Sequence, residues 1–290
     1  MTALRQAVEL GVNFFDTADK YGDGKSETLL SRLKEESTAS IYIATKAGQK
    51  IPAGEEWEPE KLVSFIEGSL KRLKTDTLDL FQLHSPPTDV YYKPEIFRAL
   101  DKLVQQGKIK NYGASVRRVE EGLKALEYPN LKTVQLIFNI FRQRPAELFF
   151  REAVRRKVGV IVRVPLASGM LTGKMRPETS FENTDHRSFN IHGEKFDRGE
   201  TFSGVEYQTG LNVADELKDI VPREMTLAQF ALRWILMFDA VSTVIPGAKN
   251  SEQAKMNASA SEFPPLSDEQ MSRVNEIYER RIREQVHQRW

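Results

Sequence analysis

The chain contains no cysteine, which excludes disulfides, thiolate nucleophiles and cysteine-based zinc sites. It also lacks an excess of either charge: 42 Lys and Arg face 41 Asp and Glu. No broad field exists to draw the chain onto nucleic acid or anionic lipid, so a charged ligand must be held locally. Long apolar runs are missing as well. Nothing approaches the roughly 18 apolar residues of a membrane span, and the first residues do not read as a signal peptide. The four histidines, 84, 186, 192 and 287, form no metal-ligand spacing. These absences predict a soluble cytoplasmic protein without a metal, a nucleic-acid partner or a membrane partner.

What is present is an alternation. Seven short apolar runs read as strands: "VNFFD" (12–16), "IYIATK" (41–46), "LDLFQLH" (78–84), "IKNYGAS" (109–115), "TVQLIFN" (133–139), "GVIVRVP" (159–165) and "VSTVIP" (241–246). Helical patterns lie between them, with Pro59 at a first turn, Gly107 closing "PEIFRALDKLVQQG" and Thr226 as an N-cap. Strand and helix in turn, without hairpin signals, predict a parallel sheet buried on both faces. The chain opens on a helix, "TALRQAVEL", stopped by Gly11.

Seven units are one short of an eight-stranded barrel. The expectation is therefore an α/β protein of the (α/β)8 TIM-barrel type lacking its first strand, with residues 1–290 as a single domain. An open doubly wound sheet is the alternative. Residues 168–206 form a long, Phe-containing connection that reads as a lid, and 267–290 a C-terminal helix and tail. The basic end, "IYERRIREQVHQRW", reads as a solvated, fraying helix.

In a parallel barrel the chemistry gathers where the strands end, because the loops that follow them share one face. Asp16, Lys46, His84, Ser115 and Asn139 each stand at or beside a different strand end, and Tyr21 lies in the loop after Asp16. Singly, each has a bland explanation as a turn cap, a solvated cation or a satisfied histidine. Jointly, they suit proton delivery to a carbonyl oxygen. A free tyrosine titrates near about 10, and an adjacent ammonium favours its phenolate. Lys46 would supply the ammonium, Asp16 would keep it charged, and His84 would orient the carbonyl. With no thiol, activated serine or metal cluster in the pattern, hydride from a nicotinamide is the natural partner. "YGDGKSE" and "GMLTGK" fit neither a Rossmann fingerprint nor a P-loop.

"NFFDTADKYG", "IYIATK" and "LDLFQLH" resemble the aldo-keto reductase family's Asp, Tyr, Lys, His tetrad, here Asp16, Tyr21, Lys46 and His84. "YGAS", "VQLIFN", "PLASGMLTGK" and "VIPGAKNSEQAKMNASA" resemble its cofactor segments. The resemblance implies NADP(H) bound in extended form, with Ser115, Gln135 and Asn139 at the nicotinamide amide. It implies further cofactor contacts at Arg163, Pro165, Leu166, Gly169, Leu171 and Lys174. Gly247, Ala248, Lys249, Ser251, Gln253 and Asn257 would surround the adenosine phosphate, where a helix beginning near Ser251 offers an anion site. Arg163 stands where the family usually has an aromatic, and Val116 where it usually has an asparagine. The implied activity is hydride transfer between NADPH and the carbonyl of an aldehyde, ketone or sugar; a nucleotide-binding regulatory subunit of the same fold is the other reading.

Overall fold

The computed structural model describes residues 1–52 and 54–290. Seven strands occur among them: β1 Phe14–Asp16, β2 Tyr42–Ala47, β3 Leu80–His84, β4 Tyr112–Ser115, β5 Thr133–Ile137, β6 Gly159–Arg163 and β7 Val241–Val244. They follow one another in chain order within one sheet, and the pairs from β1 to β5 are parallel. The helices are α1 Thr2–Glu9, α2 Lys25–Glu36, α3 Pro59–Leu73, α4 Pro94–Gln105, α5 Val119–Ala125, α6 Phe149–Arg155, α7 His186–Phe189, α8 Tyr207–Lys218, α9 Leu227–Ile235, α10 Ser251–Ser259, α11 Asp268–Arg281 and α12 Arg283–Val286. The chain is thus α/β, helical from Thr2, and all seven expected strands are present, six of them shorter than expected and β2 shifted by one residue to end on Ala47.

Local chemistry explains these elements. Pro59 and Pro94 occupy the first turns of α3 and α4, where a missing N–H costs nothing. Each helix then buries one stripe: Leu62, Ile66, Leu70 and Leu73 in α3, Ile96, Phe97, Leu100 and Leu103 in α4. Thr226 caps α9, its hydroxyl accepting from the Gln229 N–H while the Gln229 side chain returns to the Thr226 N–H. All residues of β3 and β4 are buried, as expected of strands covered on both faces.

Contacts divide the residues into two compact units. The first comprises Met1–Leu136, Glu152–Val160 and Lys249–Lys255; the second, Ile137–Arg151, Ile161–Ala248 and Met256–Trp290. In the first unit the strand register sets which side chains are neighbours. Asp16 pairs with Ala44, Lys46 with Gln82, His84 with Ser115, and Ser115 with Gln135. Because side chains alternate along a strand, Asp16, Lys46, Gln82, His84, Ser115 and Gln135 all project from one face.

In the second unit, Phe138, Phe150, Trp234 and Phe238 form an aromatic cluster, Phe138 meeting the other three at centroid distances of 4.7, 5.0 and 4.9 Å. The long connection is a series of short turns holding α7. Phe202 is buried and contacts Phe181 and Tyr207.

The C-terminal tail differs from expectation. It does not fray: Ile282, Val286 and Trp290 are buried. The Trp290 indole N–H donates to Asp197 Oδ1 at 2.9 Å, its ring lies 4.3 Å from the Arg142 guanidinium, and its carbonyl accepts from Arg144. The basic residues masked an apolar spacing of Ile282, Val286 and Trp290, four residues apart, which is one helical face.

Candidate active site

The loop after β1 positions Tyr21 through its backbone. Thr17 N–H donates to Ala44 O at 2.8 Å and Asp19 N–H to Lys46 O at 3.0 Å, so the chain follows β2 past the strand's end. Tyr21 N–H then turns back to Ala18 O, Ser26 N–H reaches Tyr21 O, and the Thr17 and Ser26 hydroxyls meet at 2.7 Å. Gly24, at φ +87°, makes room for a neighbour: a Cβ there would stand 2.5 Å from Arg72 Cδ. Arg72 uses that space to pair with the fully buried Glu27, whose other oxygen accepts from Thr45 at 2.6 Å. Glu27 therefore ties the Tyr21 loop to the residue beside Lys46.

Lys46 is almost sealed from solvent. Its Nζ donates to Asp16 Oδ2 and, at 2.8 Å, to Thr17 O. A buried ammonium is tolerated only with such partners. The same nitrogen lies 5.2 Å from the centre of the Tyr21 ring. The His84 ring meets that tyrosine edge to face, with centroids 5.7 Å apart. Tyr21 itself is 43% exposed. The four tetrad residues are thus brought together in the first unit.

Beneath them lies a polar layer. Gln135 Nε2 donates to Asp16 Oδ1 at 2.7 Å, and Ser115 Oγ donates to Gln135 Oε1 at 3.2 Å. Gln82 Nε2 reaches Asp16 Oδ1 at 3.4 Å while accepting from Thr133 at 3.4 Å. Gly113 is the residue that lets Thr133 in, since a Cβ would fall 2.0 Å from its hydroxyl. Gln82 was not among the sequence candidates, although its position two residues before His84 on a strand places both on one face. Asp19, also unforeseen, is 1% exposed. Burial pushes its carboxyl above the usual range, Glu27 adds to this, and Lys50 and Arg72 oppose it.

The remaining candidates divide between the units. In the second, Asn139 is fully buried, its amide donating to Val164 O and Ser203 Oγ while its oxygen accepts from Phe141 N–H. Arg163 is paired with Glu200, a partner that the aromatic position of the family did not suggest. Pro165 and Leu171 are buried, Gly169 adopts φ +96°, and Leu166 is half-buried. Lys174, Gly247 and Ala248 are exposed, and Asn257 Nδ2 donates to Gly247 O at 3.1 Å. In the first unit Lys249 and Gln253 are exposed, Ser251 is half-buried at the start of α10, and Lys249 N–H donates to Gln253 Oε1 at 2.8 Å.

Residues 1–279 match the model of the aldo/keto reductase family; the chain belongs to that family. It is similar to the glycerol dehydrogenase AKR11B4 of Gluconobacter oxydans, with a TM-score of 0.78 and 29% identity over 97% of this chain and 85% of that one. A Schizosaccharomyces pombe relative carrying the name of a voltage-gated potassium channel subunit beta is 30% identical, the match covering 94% of this chain and 82% of the relative. The aldo-keto reductase yakc [NADP(+)] of the same yeast is 27% identical, over 94% and 80%. Among the described residues no helix is long and apolar enough to cross a membrane.

Proposed function

We propose that the chain is an oxidoreductase transferring a hydride between NADPH and the carbonyl of an aldehyde, ketone or sugar, with Tyr21 as general acid. The observation that carries this reading is the buried Lys46–Asp16 pair set against a half-exposed phenol that also touches His84. Ser115 and Gln135 offer a hydroxyl and an amide 3.2 Å apart on the neighbouring strands β4 and β5, a set suited to a carboxamide. Lys249 and the start of α10, where Asn250 Oδ1 accepts from Gln253 N–H at 2.9 Å, offer a cation and a helix N-terminus suited to a phosphate. These residues, with Asn139, Arg163, Pro165, Leu166, Gly169, Leu171, Lys174, Gly247, Ala248, Gln253 and Asn257, are the proposed cofactor contacts.

When bound, NADPH supplies the hydride. Tyr21 gives its proton to the carbonyl oxygen as the carbon is reduced, and Lys46 stabilises the phenolate left behind. Asp16 holds Lys46 charged and fixed, and His84 directs the carbonyl toward the phenol. The exposed phenol regains its proton from water. In the reverse direction the phenolate takes the alcohol's proton.

The channel-subunit relative supports a second reading, a nucleotide-binding regulatory subunit. The experiment that separates the two is NADPH oxidation across a panel of aldehydes, ketones and sugars. Turnover supports the enzyme, whereas NADPH binding without oxidation of any member supports the regulatory subunit.

A further inference from the structure

Gln135 is 1% exposed, and both ends of its amide are engaged. Its oxygen accepts from Ser115 Oγ at 3.2 Å, and its nitrogen donates to Asp16 Oδ1 at 2.7 Å, while Lys46 Nζ donates to the other oxygen of the same carboxylate. An unbroken hydrogen-bonded path therefore runs Ser115, Gln135, Asp16, Lys46. We propose that Gln135 is a positioning residue that couples the cofactor's carboxamide to the Lys46–Asp16 pair. This rests on the reading of Ser115 and Gln135 as carboxamide contacts.

Two physical arguments support the direction of coupling. An amide N–H to a carboxylate is a charge-assisted hydrogen bond, stronger than one between neutral groups. A donor arriving at the amide's oxygen polarises it and strengthens its N–H in turn. A carboxamide N–H given to Gln135 Oε1 would thus tighten the hold on Asp16, and through it on Lys46. Gln82, the other neutral donor to Asp16 Oδ1, stands off at 3.4 Å and cannot replace Gln135 without moving. Linkage is reciprocal: if the cofactor steadies Asp16, then Asp16 steadies the cofactor's contact.

The test is a double-mutant cycle on NADPH affinity, measured by fluorescence titration of the full chain without a carbonyl substrate. Gln135→Met and Asp16→Asn are made singly and together, with folding checked by circular dichroism. Each single change is expected to weaken NADPH binding, and Asp16→Asn to have no further effect once Gln135 is gone, a departure from multiplicativity of about fivefold or more. Effects that simply multiply would overturn the proposal while leaving NADPH binding, and so the functional reading, intact. If wild-type protein does not bind NADPH, both fall.

Should Asp16→Asn fail to fold, Gln135→Glu carries the test. It keeps the oxygen that a carboxamide would use but sets a carboxylate against Asp16. Coupling requires NADPH affinity to fall about tenfold, whereas a residue that touches only the cofactor would bind it equally well or more tightly.

Discussion

The rings of Tyr21 and His84 meet edge to face, with centroids 5.7 Å apart and planes at 85°. His84 is buried and Tyr21 is not, and on the proposed reading the imidazole is the wall against which a carbonyl lies. His84→Ala should lower kcat about tenfold to a hundredfold and raise KM for the carbonyl, because orientation is lost while the acid remains. NADPH affinity should stay within twofold by fluorescence titration. A carbonyl KM equal to wild type would remove His84 from substrate positioning.

Gly113 is required by the strand beside it. A Cβ at this position would stand 2.0 Å from Thr133 Oγ1 and 2.5 Å from the Thr133 carbonyl oxygen, and a backbone atom cannot yield as a side-chain tip can. Gly113→Ala should therefore destabilise the protein by about 1–3 kcal/mol, read from urea denaturation. It should also reduce turnover, because Thr133 holds Gln82 against Asp16. A loss of stability under about 0.5 kcal/mol, the range of surface changes, would contradict this packing.

Asp19 makes stability depend on pH with a definite sign. Its carboxyl is raised by burial, so between the unfolded value of about 4 and the higher folded value the native state binds more protons than the unfolded chain. Its contribution is therefore lost as pH rises through that window, and above the window the protein carries the full cost of a buried charge. Asp19→Asn should stabilise by about 1 kcal/mol at neutral pH, with the gain vanishing below about pH 4. Urea midpoints for both proteins at the two pH values check this; a gain that persists in acid would point to packing instead of ionisation.

Trp290 anchors the turns around residues 197–204. Its indole is bound to Asp197 and lies against Arg142, and Cβ atoms on Gly199 or Gly204 would fall 2.8 or 2.6 Å from its ring. Trp290→Ala should cost about 3 kcal/mol and speed proteolytic cutting within the 176–204 connection. Unchanged cutting would mean that the turns are held by other contacts.

Much of this was legible in the sequence, for physical reasons. Apolar runs buried on both faces mark strands, and Pro59, Pro94 and Thr226 mark helix starts, because those signals are local. Asp16, Lys46, His84 and Ser115 could be placed at strand ends, and strand ends share a rim in a parallel sheet. What was not legible came from register and packing. Only the pairing of Lys46 with Gln82 reveals that layer, and only the folded chain brings Gln135 onto Asp16 across 119 residues. The Arg163–Glu200 pair and the Trp290 anchor likewise join distant segments that no periodicity connects.

The central claim is that Tyr21 is the proton donor of a hydride transfer, and it is tested most directly by single-turnover oxidation of NADPH, followed by absorbance, in wild-type protein and Tyr21→Phe. The panel of aldehydes, ketones and sugars supplies the acceptor. The account expects oxidation with at least one of them in wild type, a loss of about a hundredfold or more in the variant, and NADPH affinity within twofold. Oxidation that proceeds equally fast without the phenol would contradict it.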